Sequence, residues 1–118
     1  MALTLASCTS GEKFSKASPA ELPQIVSSEV PLPEANSVRL LGEDSEGVTY
    51  YVGRWNEDAA DQYCLVIVNG DQYRRSCGDQ LPVVGLFGNI HATVSDPLVV
   101  DQEKGTELVG DYLAVLRG

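Results

Sequence analysis

Basic residues are scarce in this sequence. Its 118 residues include 8 Lys and Arg against 17 Asp and Glu, which gives a formal net charge of -9. Binding to nucleic-acid phosphates requires clustered basic side chains, and the only adjacent basic pair here is Arg74-Arg75. The charge balance therefore argues against nucleic acid as a partner.

Long apolar runs are also missing. No stretch approaches the roughly 18 to 20 consecutive apolar residues that cross a bilayer as a helix. The apolar runs are short, and glycine, proline and polar turn residues separate them. This pattern predicts a single folded domain made of short elements.

Residue types that catalyse reactions or bind metals are few. His91 is the only histidine; it lies in the alternating stretch from Ile90 to Val94, and no Gly-x-Ser-x-Gly nucleophile motif accompanies it. The three cysteines do not supply the two pairs of Cys or His ligands that a structural zinc site needs. We therefore predict no catalytic residue, no metal site, no cofactor and no enzymatic activity.

The most informative segment that is present runs from Gln62 to Gly78 and predicts a β-hairpin. Its first arm is the β-favouring run from Cys64 to Val68, and its second arm runs from Tyr73 to Cys77. Asn69-Gly70 between the arms tolerates the positive φ that tight hairpin turns require.

Two registers of this hairpin are possible. If Asn69-Gly70 alone forms the loop, Cys64 faces Arg75. If Asn69 to Gln72 form a four-residue loop, Cys64 lies directly opposite Cys77, at the cross-strand Cα separation of about 4.5 to 5.5 Å that a disulfide can bridge. We favour the second register and predict a Cys64–Cys77 disulfide, which implies an oxidising compartment.

Other segments predict further strands. Ser37 to Glu43 and Gly47 to Arg54 flank a run of turn formers and predict a second hairpin. Ile90 to Val94 and Tyr112 to Leu116 predict additional strands. In contrast, Trp55 to Asp61 is expected to be an acidic loop.

The glycines between Val83 and Gly88 are expected to weaken any regular element there. Together these patterns predict a mainly β fold over residues 36–118. We expect a small antiparallel sheet of about five to seven strands. The sequence leaves open whether the sheet forms a sandwich or an open barrel.

The N-terminal residues carry a resemblance. Leu5-Ala6-Ser7-Cys8 resembles the lipobox of bacterial lipoproteins, in which signal peptidase II cuts before the cysteine and the thiol receives a diacylglycerol. The resemblance implies that Met1 to Ser7 is the end of a signal peptide that begins further upstream and that Cys8 is lipidated. Lipidation of Cys8 would leave Cys64 and Cys77 as a pair. The remainder is similar to small envelope lipoproteins of high-GC Gram-positive bacteria.

Residues 8–35 are rich in Ser, Pro, Ala and Glu. We predict that they form an extended polar tether between the lipid and the β domain. Ser18-Pro19-Ala20-Glu21 has the pattern of a helix start, because Ser can cap and Glu can complete a capping box. One or two helical turns are therefore expected between Pro19 and Ser27.

Aromatic residues gather in or beside the two predicted hairpins. Such side chains, together with arginine, are suited to contacts with a protein or sugar partner. The candidate partner contacts are Tyr51, Trp55, Tyr63 and Arg74.

These features together predict a lipid-anchored envelope lipoprotein at the outer side of the plasma membrane. Its β domain is expected to bind an envelope protein or a cell-wall component without catalysis. Two alternatives are a small secreted enzyme or inhibitor with a site in its loops, and a cytosolic β domain with reduced cysteines.

Overall fold

The computed structural model describes residues 13–57, 60–99 and 105–118. These ranges contain nine strands and one short helix. In chain order the elements are β1 (Ser18–Pro19), α1 (Gln24–Ser27), β2 (Arg39–Glu43), β3 (Thr49–Glu57), β4 (Ala60–Asn69), β5 (Gln72–Gly78), β6 (Val83–Phe87), β7 (Ile90–Val94), β8 (Glu107–Val109) and β9 (Leu113–Arg117). No helix among the described residues has the length and hydrophobicity needed to cross a membrane.

The strands form two antiparallel sheets that pack face to face. The first sheet has the order β1-β2-β3-β4-β5, and the second has the order β6-β7-β9-β8. At one side of the stack β5 lies beside β6, and at the other side β2 contacts β8. The expectation of a mainly β antiparallel fold is confirmed, and of the two architectures left open the domain adopts the sandwich.

The core lies between the sheets, where the facing side of each sheet carries buried apolar side chains. Leu65 and Ile67 of β4 are fully buried, and they pack in one cluster with Tyr50 of β3, Ala92 of β7 and Leu113 of β9. Strand residues two apart point to the same face, so a period of two along β4 places both apolar side chains in the interior.

Strand β6 corrects the expectation of an irregular segment between Val83 and Gly88. A Cβ atom at Gly85 would lie 3.0 Å from Leu65 Cδ2 and 3.1 Å from Ile67 Cδ1. Gly85 therefore allows β6 to approach β4 closely, and the glycine serves sheet packing rather than interrupting the strand.

The expected acidic loop from Trp55 to Asp61 is also wrong. β3 and β4 continue through it and pair as far as Glu57 and Ala60. Asn56 Nδ2 donates to Asp61 Oδ1 at 2.9 Å across this extension. Trp55 is 1 % exposed, so its burial favours continued pairing over a solvated loop. The additional strands β1, β6 and β8 bring the number among the described residues to nine, above the expected five to seven.

The hairpin of β4 and β5 has the expected register. Cys64 pairs with Cys77 and the two form a disulfide with a Cα–Cα distance of 4.0 Å. The loop is shorter than expected, because Asn69 pairs with Gln72 and only two residues remain between the strands. Gly70, the first of these, has a φ of 64°, as a type II′ turn requires at that position.

From Phe14 onward the predicted tether packs on the β domain instead of extending away from it. Phe14 is 3 % exposed and closes one end of the sandwich, with its ring 5.9 Å from that of Tyr63 and 5.2 Å from that of Tyr112. The Phe14 backbone N–H donates to Asp96 Oδ2 at 2.6 Å. The composition of the sequence changes at residue 36, but the packed domain also includes residues before it, from Phe14 onward. Residues 1–12, which contain the predicted end of the signal peptide and Cys8, lie outside the described residues.

The rest of this segment covers the outer face of the first sheet. That face is apolar, because the side chains of Cys64, Val66 and Trp55 point outward from it and would be exposed to water without this segment. α1 supplies the fully buried Val26, which packs in the same cluster. α1 follows Pro23, whereas Ser18–Pro19 pairs with β2, so the expected capping box does not form.

We predict that Phe14→Ala lowers the free energy of unfolding by about 3 kcal/mol, because it leaves a cavity at the end of the core. Urea denaturation of the full chain measures this change. Leu32→Ala is the control, since Leu32 is 84 % exposed and its truncation should cost no more than about 0.5 kcal/mol. Equal, small effects of both substitutions would mean that residue 14 belongs to a tether.

Candidate binding site

The four predicted partner contacts do not come together in the fold. Tyr51 and Trp55 lie on the outer face of the first sheet, in or against the cluster that α1 covers. Trp55 Nε1 donates to the carbonyl oxygen of Pro31 at 2.7 Å, and the Arg75 guanidinium carbon lies 5.2 Å from the ring centroid. Trp55 is therefore an interior residue and not a surface contact, because the N-terminal segment covers the face on which it lies.

The other two candidates lie toward opposite ends of the sandwich. Tyr63 is partly buried and lies at the end that Phe14 closes. Arg74 is exposed on β5, with its guanidinium carbon 6.0 Å from the ring centroid of Phe87. Arg74 pairs with Ile67 of β4, and Ile67 lies four residues after Tyr63 on that strand. Arg74 is therefore about 13 Å from Tyr63 along the strand direction.

Tyr63 lines a depression of about 310 Å³ that we call the cationic pocket. Its lining includes charged side chains of both signs, and Asp61 Oδ2 lies 3.7 Å from the lining residue Arg54. Its lining residues are Lys13, Glu34, Ala35, Asn36, Ser37, Arg39, Arg54 and Tyr63.

Arg54 of β3 is the central charged group of the pocket. Its Nη1 lies 3.4 Å from Glu34 Oε2, and its Nη2 lies 3.7 Å from Asp61 Oδ2. The Arg54 guanidinium carbon also lies 5.9 Å from the centroid of the Tyr63 ring, in the range of a cation–π contact. The Arg54 side chain is 45 % exposed, so solvent can reach these ion pairs.

Backbone contacts hold the other two cations. Arg39 Nη1 donates to the carbonyl oxygens of Asn36 at 2.7 Å and Val38 at 3.0 Å. Lys13 Nζ donates to the carbonyl oxygen of Asp96 at 3.2 Å. These bonds orient the two side chains at the edge of the pocket.

The loop between α1 and β2 forms the rim of the pocket and is fixed onto β3. Glu34 N–H donates to the Arg54 carbonyl oxygen at 2.7 Å, and Arg54 N–H donates to Ser37 Oγ at 3.1 Å. Asn36 has a φ of 63°, a conformation that asparagine tolerates better than most residues. These bonds preform the rim.

An apolar groove continues from this rim. It shares Asn36 with the cationic pocket and has a volume of about 480 Å³. Its apolar lining residues include Leu22, Leu32 and Val38, and Leu32 is 84 % exposed.

Sequence reasoning missed the cations of this pocket. Lys13, Arg39 and Arg54 are separated by 26 and 15 residues, and no motif connects them. Pairing of β2 with β3 and the packing of Phe14 bring them together. Of the predicted contacts, Tyr63 belongs to this pocket.

A second cluster of charged groups surrounds Asp44 in the turn between β2 and β3. Asp44 Oδ2 accepts hydrogen bonds from Tyr50 Oη and Arg117 Nη2, each at 2.7 Å. Its Oδ1 accepts from the backbone N–H groups of Glu46 and Val48. Burial alone would raise the pKa of Asp44, but these bonds outweigh burial and hold its pKa below the ordinary value.

The Asp44 cluster is a structural connection between the sheets. Asp44 belongs to the first sheet's hairpin, whereas Arg117 ends β9 of the second sheet. Burial and the hydrogen bond to Asp44 raise the pKa of Tyr50. The Asp44 side chain has no exposed surface, and internal groups occupy both its oxygens. A perturbed carboxyl group can mark a catalytic site, but this one is closed to a substrate.

Neither histidine nor a metal site adds to the candidate surfaces. His91 is exposed on β7 and pairs across the strands with Leu116. Within the ranges that the structure describes, no three His, Cys, Asp or Glu side chains are grouped to hold a metal ion.

We predict that Asp44→Asn destabilises the domain by about 2 kcal/mol at pH 7, because Arg117 loses its buried charged partner. The folded pKa of Asp44 is lowered, so its contribution is present above the unfolded pKa of about 3.9 and is lost as pH falls through the folded value. The difference between the native protein and the variant should therefore shrink at pH 2 to 3. Urea denaturation across pH measures it, with Glu43→Gln as the exposed control. A pH-independent difference would contradict this role.

Comparison with known proteins gives no relative from which a function could be transferred. No family model matches the chain, and neither the curated proteins nor the solved structures compared with it contain a match.

Proposed function

We propose that this protein is a lipid-anchored protein of the cell envelope whose β domain binds a partner without catalysis. The observation that carries the proposal is the lipobox-like sequence Leu5-Ala6-Ser7-Cys8. In this proposal Cys8 receives a diacylglycerol and holds the domain at the outer side of the plasma membrane.

The disulfide supports the extracytoplasmic part of the proposal. Cys64 is buried, Cys77 is exposed, and the bond between them lies on the outer face of the first sheet. Disulfides persist mainly in oxidising compartments, so this bond is consistent with a location outside the cytosol. Because the chain has three cysteines, the disulfide leaves Cys8 as the remaining thiol, which is the residue that lipidation would use.

The surface at the Phe14 end supports a binding role. The cationic pocket presents guanidinium and ammonium groups that ring contacts and carbonyl oxygens hold in place. A preformed site of this kind can bind a partner with little loss of side-chain freedom. The adjacent apolar groove would add contact area for an envelope protein or a cell-wall component.

Cys8→Ala tests the anchoring in the native host. We expect the unaltered protein to sediment with membranes, to begin at Cys8 and to carry a mass increase of diacylglycerol size together with one disulfide. Cys8→Ala should move to the soluble fraction because its thioether cannot form. Ser10→Ala is the matched control and should remain with the membranes.

The opposite pattern would overturn the proposal. A soluble, unmodified chain that begins at Met1, with a free Cys8 thiol, would make the likeness to a lipobox coincidental. A membrane-bound Cys8→Ala variant would require some other means of attachment.

A further inference from the structure

We propose that the second sheet carries the contact surface of a symmetric dimer, in which its outer face packs against the same face of a second copy of this chain. We call this surface the open face, and it consists of the residues of β6, β7, β9 and β8 that point away from the core. The inference goes beyond the proposed function, because it requires neither lipidation of Cys8 nor the cationic pocket.

One row of open-face residues crosses all four strands of the second sheet. In strand order the row consists of Val84, Thr93, Ala114 and Leu108, each paired directly with the next. Directly paired residues share a face of the sheet, so these side chains lie side by side. Val84 is 45 % exposed and Leu108 is 49 % exposed. Apolar surface therefore reaches water at both edges of this sheet.

A second row lies beside the first. Leu86 pairs with His91, and His91 pairs with Leu116. Leu86 is 60 % exposed, and Leu116 is partly exposed. The open face thus carries mainly aliphatic side chains, and Thr93 and His91 are its polar members.

The outer face of the first sheet shows how this chain treats a comparable surface. There Val66 and Trp55 are buried, since α1 and the residues around it pack against them. Within the part of the chain that the structure describes, Val84, Leu86 and Leu108 of the open face instead remain exposed. Covering them would remove apolar surface from water, which favours association.

The charged side chains of strands β6 to β9 are turned away from the open face. They are Glu107 and Arg117, and strand alternation places both on the core side of the sheet. Glu107 Oε2 and Oε1 accept hydrogen bonds from Ser45 N–H and Oγ, each at 2.9 Å. Arg117 Nη2 lies 2.7 Å from Asp44 Oδ2. Two copies with a net charge of -9 can therefore approach through this face without bringing like charges into contact.

The absence of charge on the open face favours a second copy as the occupant. An acidic or basic partner would find no opposite charge there, and a polar ligand would meet mainly alkyl groups. An identical face is complementary to itself, because aliphatic side chains meet aliphatic side chains and no charge loses its water. Two-fold dimers that use one such patch on both copies are the commonest closed assemblies.

The size of the open face predicts a weak dimer. Four strands about 4.8 Å apart, each with about five residues that rise 3.3 Å, give a footprint of roughly 300 Å². Exposed apolar patches of about that size are often functional in monomers. Stable interfaces bury about 800 Å² of each partner, so we expect a dissociation constant of about 10 to 100 μM.

A dimer of this kind is compatible with anchoring of both copies to one membrane. Sheets that pack face to face can align their strands within about 30°. A two-fold axis parallel to the strands would then place the Phe14 ends of both copies on the same side. Tethering to a shared membrane would raise the effective concentration of each copy for the other, which suits a weak contact.

Sedimentation equilibrium of the full chain carrying Cys8→Ser tests the dimer, because this substitution prevents an intermolecular disulfide through Cys8. The measurement is made at pH 8, where histidine side chains are ordinarily uncharged. We expect the average mass to rise from that of one chain at about 5 μM toward that of two chains at about 500 μM. Amide NMR shifts over the same range should change at Leu86 and Leu116 but not at Tyr73, which lies on the first sheet.

Leu86→Asp and Leu108→Asp should each weaken self-association at least about tenfold, because the dimer would bury an unpaired carboxylate. Both native side chains are about half exposed or more, so the monomer should keep its fold and its circular dichroism spectrum. Leu32→Asp is the matched control. It adds the same charge at an 84 % exposed leucine away from the second sheet and should leave the dissociation constant unchanged.

Three outcomes would overturn the inference. A mass that stays at one chain up to about 500 μM would exclude a dimer of the expected strength. Equal weakening by Leu32→Asp and Leu86→Asp would mean that overall charge alone matters. Concentration-dependent shifts confined to the first sheet would place the contact elsewhere. None of these results bears on Cys8 lipidation, which the membrane fractionation of Cys8→Ala tests separately.

Discussion

Close contact between the two sheets is the constraint on which the rest of the domain depends. Leu65 and Ile67 of β4 meet β6 at Gly85, where a methyl group would be within about 3 Å of both side chains. This approach places the fully buried residues of both sheets in one cluster and excludes water from it. The ion pair of Asp44 with Arg117 joins the same sheets at the periphery of the core. There the Asp44 carboxylate accepts hydrogen bonds from backbone and side-chain donors.

Phe14 connects that core to the surface that we propose to be functional. Its ring lies against Tyr63 and Tyr112 at the end of the sandwich, and Lys13 next to it reaches the carbonyl oxygen of Asp96. The residue that closes the core therefore also positions one cation of the pocket. In the proposed arrangement the lipidated terminus lies at this end.

Local sequence patterns predicted the parts of the fold that neighbouring residues determine. The Cys64–Cys77 pairing followed from alternation and turn residues within one hairpin. Gly85 misled the prediction, because only the facing β4 side chains show why a glycine is needed in a strand. The burial of Val26 against the first sheet and the cationic pocket could not be predicted from the sequence for the same reason. Both depend on contacts between segments that are distant in the chain; Lys13 and Arg54, for example, are 41 residues apart.

The most direct test of the account is the orientation of the lipidated domain on a membrane. A donor fluorophore is attached at Ser15, beside Phe14, or at Asp71 in the turn between β4 and β5; both positions are exposed. Asn69, which precedes that turn, lies six residues after Tyr63 on β4, a distance of about 20 Å along the strand. Energy transfer to an acceptor in the headgroup layer should be clearly stronger from Ser15 than from Asp71. Equal transfer, or stronger transfer from Asp71, would contradict attachment of the domain through its N-terminal end.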